Sequence, residues 1–252
     1  MKKLMIAASA VLCATVGFSV ESANVVGYAA KTLQSGFTAT GINFVNVGGT
    51  ASNLNDLKVT GYEGSYADGG VVLSKLDEAG YVLNNVMWTW YDVEDPDMGT
   101  LYGWYNDDGD SGADEALTIG EGVWVQAPSS DFKIQVAGQV YASAVPVTLQ
   151  SGFTMCANPA PTALTLNDAV ISGYGDSYAD GGVVLSKLDE AGYVLDNIMW
   201  TWYDVEDPDM GTLYGWYNDD GDEGSTEPLG SGEAVWIQAP SSDFIVTFPS
   251  AL

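Results

Sequence analysis

The sequence predicts an all-β protein of two tandem antiparallel domains, each a β-sandwich or small barrel, and three observations carry that prediction. Short runs rich in Val, Tyr, Trp, Ile and Thr alternate with clusters of Gly, Asn, Asp and Pro, the pattern of strands joined by tight turns. About seven such runs fall in each hundred residues, the density of a sandwich or small barrel. The chain also repeats itself: residues 65–110 match 177–222 at 44 of 46 positions, the exceptions being Asn84/Asp196 and Val86/Ile198.

Taken in order, the first element is a candidate secretory signal peptide at 1–23. Lys2 and Lys3 precede an apolar run from Leu4 to about Phe18, and small residues follow at Ser19–Ala23, the n-, h- and c-regions of a secreted precursor. The apolar run is short for a membrane helix. Cleavage after Ala23 leaves 33 acidic residues and five lysines. It also leaves one cysteine, Cys156, which has no internal partner and reads as a small buried residue.

The two copies span 24–139 and 140–252. LQSGFT at 33–38 returns at 149–154, and QAPSSDF at 126–132 returns at 238–244. Within the first copy, apolar runs bounded by turn residues predict strands near 25–32, 36–46, 70–76, 81–92, 100–105, 118–126 and 131–140, each with a counterpart in the second copy. SNLNDLKV at 52–59 and TALTLNDAV at 162–170 are the only helix candidates, each a single turn that Asn, Ser or Thr would cap.

Composition narrows the function. The chain carries 34 acidic residues against seven lysines, no Arg and no His, for a formal charge of −27. Such a field repels phosphate backbones and anionic lipid heads, which excludes nucleic acid and membrane surfaces as partners. Most of the strand runs are shorter than the roughly ten residues of a membrane-barrel strand. Without His or Arg, nucleophile–base pairs and histidine metal sites are absent, so no enzyme is expected. Apolar residues at 46% and aromatics at 12% set the chain apart from disordered acidic proteins.

The candidate site residues lie in MWTWYDVEDPDMGTLYGWYNDDGD, present unchanged at 87–110 and 199–222. Asn106, Asp107, Asp108 and Asp110, with Asn218, Asp219, Asp220 and Asp222, cluster oxygen donors suited to Ca2+. The same composition also makes an ordinary solvated hairpin turn. The second acidic cluster, Asp92, Glu94, Asp95 and Asp97, lies at the far end of the intervening strand and cannot share an ion with the first. Strand alternation puts Trp88, Trp90, Tyr102 and Trp104 on one face, and Trp200, Trp202, Tyr214 and Trp216 likewise. Facing inward they are core; facing outward they are a platform for sugar rings. Trp124 and Trp236, in VWVQ and VWIQ, read as structural.

GFTMCANP at 152–159, with LTIGEGVWVQAP at 117–128 and LGSGEAVWIQAP at 229–240, resembles a group of secreted bacterial β-repeat proteins. In these a Gly-(Phe/Tyr)-x-x-x-Ala-Asn-Pro element opens the unit and a Pro-Gly-Glu-Gly-like element closes it. The resemblance implies secretion and the domain unit, and carries no activity. Copy one departs from it, with GFTATGINF in the opening position.

The expectation is a secreted, acidic, non-enzymatic structural or adhesive protein at the cell surface. It would bind calcium through its acidic loops and associate with itself or with other surface proteins. The alternative is a tandem carbohydrate-binding module that takes polysaccharide on its Trp/Tyr strands.

Overall fold

The structure is a computed structural model that describes residues 26–47, 52–61, 70–95, 99–173, 182–207 and 211–250. The candidate signal peptide and residues 96–98, with Asp97 of the second acidic cluster, lie outside these residues. The fold is all-β and antiparallel. The first copy contributes β1 (Val26–Thr32), β2 (Gly36–Gly41), β3 (Lys58–Thr60), β4 (Val72–Leu76), β5 (Val82–Asp95), β6 (Gly99–Asn106), β7 (Gly122–Ala127) and β8 (Lys133–Gln139). The second contributes β9 (Val145–Thr148), β10 (Gly152–Ala157), β11 (Leu164–Thr165), β12 (Val170–Ser172), β13 (Val184–Leu188), β14 (Val194–Asp207), β15 (Gly211–Asn218), β16 (Pro228–Leu229), β17 (Ala234–Ala239) and β18 (Ile245–Phe248).

Each half is a sandwich of one five-stranded and one three-stranded sheet. The large sheets run β2-β7-β4-β5-β6 and β10-β17-β13-β14-β15, and the small sheets β1-β8-β3 and β9-β18-β12. The core lies between them. In the first half Leu73, Trp88, Trp90, Trp104, Val123 and Val125 come from the large sheet, and Val59, Ile134 and Val136 from the small one. The second half repeats this with Leu185, Trp200, Trp202, Trp216, Val235 and Ile237 against Ile171, Val246 and Phe248.

The strand bounds need correction. The strand expected at 36–46 ends at Gly41, beyond which the chain crosses to the small sheet, where Val45 pairs with Gln139. The helix candidates are three-residue 3-10 turns, Leu54–Asp56 and Leu166–Asp168. Asn53 caps the first through its side chain, which accepts from the Asn55 N–H. The rest of each apolar run continues as strand, β3 or β12.

The halves meet through equivalent surfaces, and their main-chain contacts come in pairs. Phe37 N donates to Glu190 O at 2.8 Å, and its counterpart Phe153 N donates to Glu78 O at 2.8 Å. Gly41 N donates to Gly232 O at 3.1 Å, and Ala157 N to Gly120 O at 2.8 Å. Trp124 and Trp236, each other's counterparts, pack edge-to-face with centroids 5.5 Å apart. Reciprocity of this kind belongs to a two-fold dimer, here held in one chain. It also covers the outer edges of β2 and β10, which would otherwise offer unpaired backbone groups.

Candidate functional site

The acidic loop after β6 is closed by its own side chains. Asn106 Oδ1 accepts from Asp110 N at 2.7 Å, and Asn106 Nδ2 donates to Asp110 Oδ2 at 3.0 Å. Gly109 holds φ +84° with no atom near a would-be Cβ, so the turn needs its backbone freedom and stands in solvent. Asn218 and Asp222 repeat both bonds at 3.1 and 2.7 Å. Asp107, Asp108, Asp219 and Asp220 are exposed. Among the described residues no cluster of three or more His, Cys, Asp or Glu is arranged to hold a metal ion. Of the four oxygen-donor residues in each loop, Asn and the last Asp are spent on fixing the turn. The strand between the two acidic clusters is continuous from Gly99 to Asn106, which keeps the clusters at opposite ends.

The aromatic strands face inward. Trp88 is 6% exposed, Trp90 1% and Trp104 0%, so no stacking surface is available on them; Trp200, Trp202 and Trp216 are buried likewise. Trp90 and Trp104 sit opposite each other, centroids 5.4 Å apart at 72°, the edge-to-face packing that aromatic pairs prefer. Trp104 Nε1 donates to Leu57 O at 2.7 Å, and Trp216 Nε1 to Ala169 O at 2.8 Å. Only Tyr102 and Tyr214 of the predicted set reach solvent, at 50% and 52% exposed, each edge-on to its neighbouring Trp. The opposite face of the same strands carries Tyr91 beside Tyr105, centroids 5.8 Å apart, and Tyr203 beside Tyr217 at 5.7 Å.

Sequence reasoning passed over the lysines. Lys75 Nζ lies 3.0 Å from Glu115 and 2.8 Å from Glu121, and also donates to Ala116 O at 2.9 Å. Lys187 repeats this with Glu227 at 2.8 Å, Glu233 at 3.2 Å and Pro228 O at 2.8 Å. Burial works to lower both lysines, but the hydrogen bonds and charges of the paired glutamates outweigh it and hold both above their ordinary value. The available signal was scarcity: five lysines follow the candidate signal peptide, and two of them occupy the same place in a repeated SKLDEAG.

Each lysine borders a cavity at the junction of the halves. Lys187 and Glu233 line one of about 440 Å³ together with Lys31. Lys75 and Glu121 line its counterpart of about 350 Å³, where Val147 takes the place of Lys31. Burial, partly offset by Glu233 and reinforced by Lys187, lowers Lys31 to about 8. Cys156 is fully buried beside Glu121, and its burial pushes the thiol up.

No protein-family model, curated protein or solved structure matches this chain. Among the described residues, no helix is long and apolar enough to cross a membrane.

Proposed function

We propose that this chain is a secreted, acidic, non-enzymatic structural or adhesive component of the extracellular surface. The observation that carries the reading is the reciprocal junction. It ties two copies into one body, and each copy bears the same acidic loop and the same long β5–β6 or β14–β15 hairpin. Two identical surfaces on one body allow bivalent attachment, in which the second contact is made at high effective concentration. Partners are further copies of the chain or other surface proteins. Absence of His and Arg and burial of the one remaining thiol support a non-catalytic role. Calcium enters as counter-ion to the exposed Asp107, Asp108, Asp219 and Asp220, exchanging for the hydrogen bonds that now close each loop.

The test is a calcium titration of the EDTA-stripped chain by calorimetry, with light scattering alongside. Growth in particle size with calcium and with protein concentration, lost on Asp108→Ala plus Asp220→Ala, is expected. Heat without growth would leave calcium binding but remove assembly; a flat response in both would remove the reading.

A second reading has its own observation. The Tyr91–Tyr105 and Tyr203–Tyr217 pairs stand on the outer face of each large sheet and offer ring surface for polysaccharide, in place of the buried tryptophans. Tyr105→Ala plus Tyr217→Ala would then abolish retention on the polysaccharide column that binds the parent chain.

A further inference from the structure

Duplication has given this molecule two equivalent cavities, and they have diverged in one direction. In the cavity bordered by Lys75, the counterpart positions hold Val147, Met155 and Ile119. In the cavity bordered by Lys187, they hold Lys31, Ala39 and Ser231. Ala stands opposite a long apolar side chain, Ser opposite a branched one, and Lys opposite Val. The result is a larger space with one additional ammonium.

That ammonium feels the charge of Glu233 but makes no contact ion pair. Lys31 Nζ donates to Ala39 O at 3.0 Å, and among the described residues no carboxylate lies within ion-pair distance of it. Of the acids around the cavity, all but Glu190 are otherwise engaged. Glu233 places Oε1 on Lys187 and Oε2 on Gly230 N at 2.7 Å. Glu227 is on Lys187. Asp189 Oδ1 accepts from Ala191 N and Tyr193 N, both at 2.9 Å. Glu190 is exposed. On the same wall Asn43 is 2% exposed, donates Nδ2 to Ser231 Oγ at 2.7 Å, and has no donor for its Oδ1. A half-buried cation without an anion in contact and a buried acceptor without a donor are both costly, and one ligand bearing both complements would relieve both.

We propose that the cavity between Lys31, Asn43 and Glu233 binds a small hydroxylated monocarboxylate of the sugar-acid type. The carboxylate takes the free N–H groups of Lys31, and a hydroxyl donates toward Asn43. The volume of about 440 Å³ is at the small end of ligand pockets and suits a sugar-sized molecule. Ile134, Val136 and Leu195 supply the apolar wall such a ring packs on. Desolvation already holds Lys31 near 8 against the opposing pull of Glu233, with Lys187 adding to the lowering, so binding weakens as pH rises from 7 toward 10.

The test uses the full chain and calorimetry with glucuronate at pH 7. Glucose, glucosamine and hexanoate serve as neutral, cationic and hydroxyl-free comparators. One glucuronate per chain is expected, with affinity at least tenfold above each comparator and falling at least tenfold by pH 10. Lys31→Val, which installs the residue the equivalent position already carries, should fold normally and lose the binding. Absence of glucuronate binding, equal binding by Lys31→Val, or stronger binding of glucosamine would overturn the proposal. Hexanoate binding as tightly as glucuronate would overturn the hydroxyl contact.

Discussion

Asn55 and Asn167 each place one oxygen where an edge strand needs it. Asn55 Oδ1 accepts from Trp104 N at 2.8 Å, and Asn167 Oδ1 from Trp216 N at 2.8 Å. Removing the oxygen in Asn55→Ala leaves a buried N–H unsatisfied, a loss of about 1–3 kcal/mol that urea denaturation would read, whereas Asn55→Asp keeps the acceptor and should lose less. The lysines set a pH dependence of opposite signs. Lys31 is lowered from 10.5 to about 8, so between those values the unfolded chain holds more protons at this position than the folded one. Stability from this group therefore rises with pH across that window, and Lys31→Val should flatten the rise in thermal melts. Lys75 and Lys187 lie above 10.5; their contribution is complete below that value and lost as pH climbs past it. The sequence shows which aromatics share a face, because alternation does that alone. It does not show which face is inside, since Met87, Thr89 and Tyr91 make the other face nearly as apolar as Trp88 and Trp90. Burial of the three tryptophans follows from packing against the small sheet, which no local pattern encodes.

At the scale of elements, β5 and β14 show what a strand pattern hides. The run at 81–92 reads as one strand, yet Asn84 and Asn85 both hold φ 55°, and Asp196 and Asn197 hold 54° and 57°. The register of β4 against β5 slips between Ser74 and Leu76 at this place. Asn and Asp tolerate the left-handed region far better than branched residues, so VLNNV and VLDNI build the same kink. Both differences within the 46-residue match, Asn84/Asp196 and Val86/Ile198, fall in it, on residues that are exposed or half-buried. Asn84→Val should cost about 1–2 kcal/mol in chemical denaturation, while Asn84→Gly stays within about 0.5 kcal/mol. A cost for Val no greater than for Gly would mean that the kink is not required. The acidic DVED also proved to be strand: β5 and β14 run through it to Asp95 and Asp207. Composition marks it as turn-like because Asp and Glu are rare in strands, but cross-strand pairing with Gly99–Tyr102 holds it extended.

At the scale of the molecule, the repeat was legible and the junction was not. Offsets in the sequence locate equivalent residues, but they do not say that equivalents touch. Trp124 and Trp236 read as structural from VWVQ and VWIQ, and they are, though half-buried at the seam between halves rather than inside either core. The junction depends on close approach of backbones. A Cβ on Gly41 would run into Ala157 and the carbonyl of Glu121, and one on Gly122 into Met155 at 2.5 Å and Ala234 at 2.9 Å. Both glycines lie outside the folded core of each sandwich, so a side chain there would part the halves before it disturbed either one. The parent chain should melt in a single transition because each half shields the other's Trp and strand edge. Gly41→Val should separate the melt into two transitions by calorimetry and enlarge the radius of gyration in solution scattering, with far-ultraviolet dichroism unchanged. A single transition at the parent temperature with an unchanged radius would mean that the halves are joined only by the chain between β8 and β9.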